Sequence, residues 1–246
     1  MSTLIWPVTP LPPALADDEA HVWAIPLDVP GFDWQAELPR LADDEQQRAR
    51  RFRIERVSRR FVAARSALRR LLAAYLGSRA EEVAFVYGDL GKPTLDPARH
   101  NAPLHFNLTH SHDLALLAVT RLGPLGVDVE HLRPLRAAEA MARRFFAAAE
   151  VATFFALPDN MQLDGFYRCW TRKEAYLKAQ GLGIGQPLDR FEVSLVPGEE
   201  ARLLCVAEQP SEAARWHMAE LLPASDYVGA LAMRLAPPRL RTFAYA

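Results

Sequence analysis

The chain has 246 residues, of which half are hydrophobic, and a net charge of −1 at pH 7. This length can bury the core of one large domain or two small ones, and the balanced charge argues against a general nucleic-acid binder. Two cysteines, Cys169 and Cys205, exclude a disulfide framework and a cysteine zinc site. No run approaches the ~18 apolar residues of a membrane helix, and no signal-peptide pattern precedes residue 13, so we expect a cytosolic protein without membrane contact.

The predicted elements mix helices with short strands. Alternating apolar residues between turn-forming residues predict strands, in chain order, at 21–27, 83–86, 104–108, 113–122, 126–130, 189–196, 201–206, 215–222 and 227–235. The last four are expected to complete an antiparallel sheet. Helical spacing of apolar residues predicts helices at 43–76, 136–157 and 163–180, with Gly77 and Gly181 as stop signals. The proline-rich residues 1–20 and the segment 30–39 predict irregular chain.

The choice of cationic residues is uneven along the chain. Ten arginines lie in the predicted helix 43–76, and we interpret most of them as a solvated face because few aromatic residues separate them. Only three of the 29 lysines and arginines are lysines, at positions 92, 173 and 178. An ammonium is compact whereas a guanidinium is a planar fork, so lysines kept in an arginine-rich chain indicate sites where the fork does not fit.

Two carboxylates share one face of the predicted strand Gly126-Val-Asp-Val-Glu130. Strict alternation puts Asp128 and Glu130 on one side and the two valines on the other. Neighbouring carboxylates repel each other unless a cation lies between them, and hard oxygen ligands suit Mg²⁺. The alternative is an exposed strand edge with its polar residues in solvent.

The predicted helix 163–180 carries a second pair of charged residues. Glu174 and Lys178 are four residues apart and therefore lie on one face, which is also the pattern of a surface ion pair. If Glu174 faces the Asp128 strand, three carboxylates and a lysine meet. Such a group is suited to a phosphate with magnesium.

Four motifs together resemble the signature of the 4′-phosphopantetheinyl transferases of the surfactin-synthetase type. They are, in chain order, Gly91-Lys-Pro93, Asn107-Leu-Thr-His110, Gly126-Val-Asp-Val-Glu130 and Trp170-Thr-Arg-Lys-Glu-Ala-Tyr-Leu-Lys178, closed by Gly181-Leu-Gly183. Each motif alone is weak, whereas the set in this order and spacing is specific. Thr109 stands where serine is commonest in the family, and it keeps the hydroxyl group.

The resemblance implies an α+β fold of two similar halves with pseudo-two-fold symmetry, in which antiparallel sheets pack against helices. We place the halves at 1–122 and 123–246, with the active site at their junction. The segments 113–122 and 226–235 both begin with Asp and end with Arg-Leu, which agrees with an internal duplication. Because one chain then contains both half-sites, a monomer is sufficient.

The implied activity is the Mg²⁺-dependent transfer of the phosphopantetheine arm of coenzyme A to a serine of an apo acyl or peptidyl carrier protein. The second product is adenosine 3′,5′-bisphosphate. In this family pattern Asp128, Glu130 and Glu174 bind Mg²⁺, and Lys178 adds a positive charge on the diphosphate. Glu174 is the expected general base, with a metal-bound water as the alternative.

The nucleotide end of coenzyme A is implied to lie against polar and cationic side chains upstream of these residues. The candidates are Arg48, in an Arg48-x-x-x-Phe52 spacing, Lys92, Asn107, Thr109 and His110, with Lys178 at the diphosphate and with Arg60 and Arg65 as further cations. Asn107 is expected to hold the local chain in shape rather than to contact a phosphate.

Two other classes of function share parts of this pattern. A magnesium-dependent phosphodiester hydrolase or nuclease also uses clustered carboxylates and a lysine. A non-catalytic module could dock the arginine-rich helix on an acidic partner. The sequence does not specify which carrier protein is the acceptor, nor whether free or acylated coenzyme A is the donor.

Overall fold

The computed structural model describes residues 3–88, 91–182, 186–234 and 237–246. The α-helices in this part of the chain are α1 (Trp34–Glu37), α2 (Asp43–Arg51), α3 (Glu55–Leu76), α4 (Ala138–Phe145), α5 (Ala148–Ala156) and α6 (Asp159–Ala179). The strands are β1 (Val8–Thr9), β2 (Glu19–Pro26), β3 (Phe85–Tyr87), β4 (Pro93–Leu95), β5 (His105–Ser111), β6 (Leu114–Thr120), β7 (Leu125–His131), β8 (Phe191–Val193), β9 (Leu203–Val206), β10 (His217–Leu221), β11 (Tyr227–Met233) and β12 (Arg239–Tyr245). The predicted positions Gly183 and Leu235 lie outside the described residues.

The fold is α+β, as predicted, and the order of its elements repeats. A strand, short helices, a long helix, a two-stranded hairpin and two antiparallel strands occur first from β2 to β6 and again from β7 to β11. The neighbours β2-β6-β5 in one sheet correspond to β7-β11-β10 in the other. This repeat is what an internal duplication produces, and the division at residue 122 stays a prediction.

The two sheets pack face to face between the long helices. Apolar residues of β2, β6, β7 and β11 form the layer between the sheets, including Val22, Leu116, Val127 and Leu231. Helix α3 covers the outer face of the first sheet, and α6 covers the outer face of the second. Strand β6 is buried on both faces, which explains why its sequence is an almost continuous run of apolar residues. No helix in the described segments is long and apolar enough to cross a membrane.

The C-terminal strand β12 was missed by the sequence analysis, and it pairs in parallel with both β1 and β2. It completes a five-stranded sheet in the order β1-β12-β2-β6-β5, although it follows the second set of elements in the chain. The prediction of one antiparallel sheet for the last four predicted strands was also wrong. Strands β8 and β9 form a separate hairpin, while β10 and β11 extend the sheet of β7.

The predicted helix 43–76 is two helices, because the chain is extended at Phe52. The Phe52 ring packs on Phe61 of α3 at 5.5 Å between centroids, and the Ser58 hydroxyl donates to the Ala49 carbonyl over 3.0 Å. These contacts fold α2 back against α3. The segment 30–39, predicted to be a loop, contains α1, whose first turn is capped by Asp33.

The predicted helix 136–157 is also interrupted, and a buried carboxylate sets the break. Glu150 is 3% exposed and accepts hydrogen bonds from the backbone N–H groups of Ala147, over 2.8 Å, and of Val193, over 2.7 Å. The first of these caps the start of α5, so the chain cannot continue helically from α4. The last predicted helix begins earlier than expected, at Asp159 rather than 163.

Candidate active site

Helix α6 lies directly on strand β7, and a glycine makes this contact possible. A Cβ atom at Gly126 would lie 2.1 Å from the carbonyl oxygen of Ala175 and 2.4 Å from the backbone nitrogen of Ala179. Any other residue at position 126 would push the helix away from the strand. The close approach brings the carboxylates of β7 to the charged face of α6.

Asp128 and Lys178 form the ion pair at the centre of the site. The Lys178 ammonium donates to Oδ1 of Asp128 over 2.6 Å, to the Thr109 hydroxyl over 3.0 Å and to the Val127 carbonyl over 3.4 Å. Thr109 in turn donates to the same Oδ1 over 3.0 Å. The surface ion pair between Glu174 and Lys178 is therefore not the arrangement adopted, because the lysine reaches across to the strand.

Glu174 and Glu130 complete a crowded group of three carboxylates with Asp128. Burial, and then the negative charge of Asp128, raises the pKa of Glu174 from 4.5 to about 7. Burial also raises the pKa of Glu130, opposed by a hydrogen bond from Ser111 and reinforced by the charge of Asp128. The charges of these residues act on one another, as expected for carboxylates that lack a cation between them.

Two carboxylate oxygens in this group are buried and have no hydrogen-bond partner, Oδ2 of Asp128 and Oε1 of Glu174. Leaving such atoms unsatisfied is costly, and a divalent cation would satisfy both. The all-oxygen donor set fits Mg²⁺. Among the described residues no three or more His, Cys, Asp or Glu side chains already form a metal-binding cluster. Cation binding would therefore require the side chains to converge further.

Strand β5 contacts β7, the strand that carries Asp128 and Glu130, through side-chain hydrogen bonds rather than through backbone pairing. Oδ1 of Asn107 accepts the backbone N–H of Val127 over 2.8 Å. The Ser111 hydroxyl donates to Oε2 of Glu130 over 2.6 Å. Asn107, Thr109 and Ser111 alternate along β5, so their side chains share the face that meets β7. The structural role expected for Asn107 agrees with this contact.

A cavity of about 560 Å³ opens between β5 and the helices α2 and α3, on the face of β5 that carries Leu108 and His110 and is opposite to the face that meets β7. Cations and aromatic rings line it, among them Arg48, Arg60, Arg65, His110, Phe52 and Phe61. Desolvation by the surrounding protein, and to a smaller extent the positive charge of Lys178, lowers the pKa of His110. An anionic ligand would counter this effect by favouring the charged imidazole. Arg60 is ion-paired with Asp28, and Arg65 with Glu45. Arg48 and His110 are therefore the side chains that could bind a nucleotide phosphate here.

None of the three lysines lines the cavity, and Lys92 and Lys173 contact other parts of the protein. Lys92 donates to the carbonyl of Lys178 over 2.5 Å and to that of Leu125 over 3.2 Å, and burial lowers its pKa to about 8. Fully buried Lys173 contacts Oε2 of Glu150 at 2.8 Å. Both ammonium groups therefore anchor protein segments in this structure. The prediction that Lys92 contacts the nucleotide remains to be tested.

Sequence reasoning missed several residues of the site. Ser111 could have been found, because it continues the alternation of Asn107 and Thr109 by one step. His112 lines the cavity from the turn after β5, where it adopts a φ of 53°. Asp28 could not have been found, because its pairing with Arg60 across 32 residues, at 2.6 Å, depends on the packing of α3.

Two family models match the chain over most of its length. One, described as 4′-phosphopantetheinyl transferase, N-terminal, matches residues 30–122, and the other, the 4′-phosphopantetheinyl transferase superfamily, matches residues 124–232. The 4′-phosphopantetheinyl transferase HetI of Nostoc sp. is 42% identical over 226 residues, which is 91% of this chain and 92% of HetI.

A more distant relative carries the same description. The 4′-phosphopantetheinyl transferase psf-1 of Bacillus pumilus is 31% identical over 67% of this chain and 68% of its own. The solved structure of Thermotoga maritima holo-[acyl-carrier-protein] synthase has a TM-score of 0.34 at 22% identity, covering 44% of this chain and 61% of that one. The family matches and the HetI identity, which extend across both halves, establish that this chain belongs to the 4′-phosphopantetheinyl transferases.

Proposed function

We propose that this enzyme transfers the 4′-phosphopantetheine arm of coenzyme A to a serine hydroxyl of an apo acyl or peptidyl carrier protein, with adenosine 3′,5′-bisphosphate as the second product. The observation that carries the proposal is the group of three carboxylates and Lys178 on one face of β5, with an arginine-lined cavity on the other face, in a chain of this family. We further propose that the enzyme acts as a monomer in the cytosol.

The donor would place its nucleotide in the cavity and its diphosphate beside Lys178. Arg48 and His110 line the cavity and would bind the phosphates of the nucleotide end, while Phe61 offers an aromatic wall. The Lys178 ammonium, now on Asp128, is near enough to the cavity for its charge to act on His110. Charge on the diphosphate increases during transfer, so a fixed ammonium there stabilises the transition state.

The three carboxylates would hold a magnesium ion. The two unpartnered oxygens of Asp128 and Glu174 and the raised pKa of Glu174 support this assignment, because a cation relieves both. When bound, Mg²⁺ neutralises the diphosphate oxygens and steadies the leaving group. Glu130, held by Ser111, would be the third ligand.

The serine of the carrier protein must lose a proton as it attacks the β-phosphorus. Glu174 is our proposed general base, because a carboxylate that gives one oxygen to the cation keeps a second oxygen that can accept the proton. The β-phosphorus–oxygen bond to the nucleotide breaks as the serine–phosphorus bond forms. The bisphosphate leaves with the bond electrons, and the serine proton passes to the base.

Intact mass spectrometry of several apo carrier proteins, each incubated with coenzyme A, Mg²⁺ and the enzyme, tests the proposal. We expect at least one carrier to gain the mass of one phosphopantetheinyl group, with adenosine 3′,5′-bisphosphate released in equal amount. Release of free phosphopantetheine without carrier modification would instead indicate a hydrolase. Unconsumed coenzyme A across a broad panel would contradict the proposed activity.

A further inference from the structure

The hydroxyl group of Ser111 has two hydrogen-bond partners in the structure. The backbone N–H of His131 donates to the Ser111 oxygen over 3.2 Å, and Oε2 of Glu130 lies 2.6 Å from the same oxygen. Since the His131 group is a donor, the one serine proton is directed at the glutamate. The orientation of the Glu130 carboxylate is therefore set from β5.

The backbone around Ser111 is itself held in place. The hydroxyl oxygen of Tyr227, a residue 1% exposed, lies 2.5 Å from Oδ1 of Asp113 and 3.3 Å from the carbonyl oxygen of Ser111. These contacts fix the β5–β6 turn against β11. A rigid support is what a side chain needs in order to position another one.

The same geometry occurs one step earlier along the two strands. The Thr109 hydroxyl donates to Oδ1 of Asp128, and the Ser111 hydroxyl donates to Oε2 of Glu130. Two hydroxyls spaced by two residues on β5 thus face two carboxylates spaced by two residues on β7. In both cases one carboxylate oxygen takes the hydroxyl bond, which leaves the other available to a cation.

We propose that Ser111 is a positioning residue, whose hydroxyl orients Glu130 for binding of a divalent cation, as Thr109 orients Asp128. The inference rests on the proposed function, in which these carboxylates hold Mg²⁺. Partners that fix a metal ligand from behind commonly affect metal affinity by about 10–100-fold when they are removed. Loss of the Ser111 hydroxyl should therefore weaken cation binding while the carboxylate itself remains.

The test is direct binding of Mn²⁺ as the probe, followed by the electron paramagnetic resonance signal of free Mn²⁺, with coenzyme A present and carrier protein absent. Ser111→Ala should raise the Kd for Mn²⁺ about tenfold or more. Ser111→Thr, which keeps a hydroxyl, should bind close to wild type. The control is Thr120→Val, which deletes a buried hydroxyl bonded to the Glu19 carbonyl over 2.7 Å at the far end of the same hairpin.

An unchanged Kd for Ser111→Ala would overturn the inference, as would equal losses in Ser111→Thr or in Thr120→Val, because these would indicate general loosening. Failure of wild type to bind Mn²⁺ would also overturn it. The proposed function fails separately. Wild type that binds Mn²⁺ with the expected Ser111 dependence but modifies no carrier protein would contradict the transfer activity and leave the positioning role standing.

Discussion

Replacing Glu174 with glutamine is expected to stabilise the metal-free protein above neutral pH while abolishing transfer. Glu174 is 5% exposed, one of its oxygens has no hydrogen-bond partner, and its pKa is raised to about 7. Glutamine keeps the shape of the side chain and removes its charge. The substitution therefore relieves the repulsion from Asp128 and the penalty of burying an ionised carboxylate.

The size and the pH range of this effect follow from the pKa shift. A carboxyl with a raised folded-state pKa binds its proton more tightly in the folded chain, so its ionisation destabilises the fold. The destabilisation is absent below the ordinary value of 4.5, develops as pH rises to about 7, and is complete above that. At about 1.4 kcal/mol per pKa unit, the rise from 4.5 to about 7 corresponds to at most about 3.5 kcal/mol. For a chain of this size that corresponds to roughly 7–14 °C in Tm.

Thermal unfolding of wild type and Glu174→Gln with a chelator, at pH 5 and pH 8, measures the effect. We expect a small Tm difference at pH 5, where the destabilisation has only begun to develop, and a clearly higher Tm for the variant at pH 8. Glu150→Gln is the matched control: burial raises the pKa of that glutamate too, but it is ion-paired with Lys173 at 2.8 Å, and removing its charge leaves the buried ammonium unpaired, which should destabilise the protein. A variant Glu174→Gln that is no more stable than wild type at pH 8 would refute the reasoning.

Three further substitutions test other parts of the site. His110→Ala should raise the KM for coenzyme A more than it lowers kcat, and its loss of kcat/KM should be smaller with dephospho-coenzyme A than with coenzyme A. Equal losses of kcat/KM on both donors in steady-state kinetics would exclude a role at the 3′-phosphate. Lys178→Arg should lower the transfer rate without changing Tm, because the compact ammonium fits between Asp128 and Thr109 and the bulkier guanidinium does not. A transfer rate equal to that of wild type would mean that either cation suffices. Gly126→Ala should destabilise the protein by about 1–3 kcal/mol or more in chemical denaturation, since its Cβ would meet the α6 backbone at 2.1 Å, and an unchanged midpoint would contradict the close packing.

Local periodicity was sufficient to predict the faces on which the site residues lie. Alternation placed Asp128 and Glu130 on one side of a strand, and the spacing of four placed Glu174 and Lys178 on one side of a helix. Such patterns depend only on neighbouring residues. They do not specify which elements meet, so the reach of Lys178 across to Asp128 was not foreseen from the sequence alone.

The errors in the fold prediction share the same physical origin. The break at Phe52 depends on its contact with Phe61, and the break before α5 depends on Glu150, whose partners include Lys173 and Val193. Strand β12 was missed because it pairs with β2, more than 200 residues away in the chain. Tertiary contacts decide these features, and sequence patterns within one segment do not report them.

The most direct test of the carboxylate site is the mass of an accepted apo carrier protein after incubation with coenzyme A and either wild type or Asp128→Asn, each with Mg²⁺ or with a chelator. We predict the phosphopantetheinyl mass increase for wild type with Mg²⁺ and none in the other three reactions, because Asp128 and the cation are both required. An increase at the wild-type rate with Asp128→Asn, or in the presence of the chelator, would contradict a magnesium-dependent transfer centre built on these carboxylates.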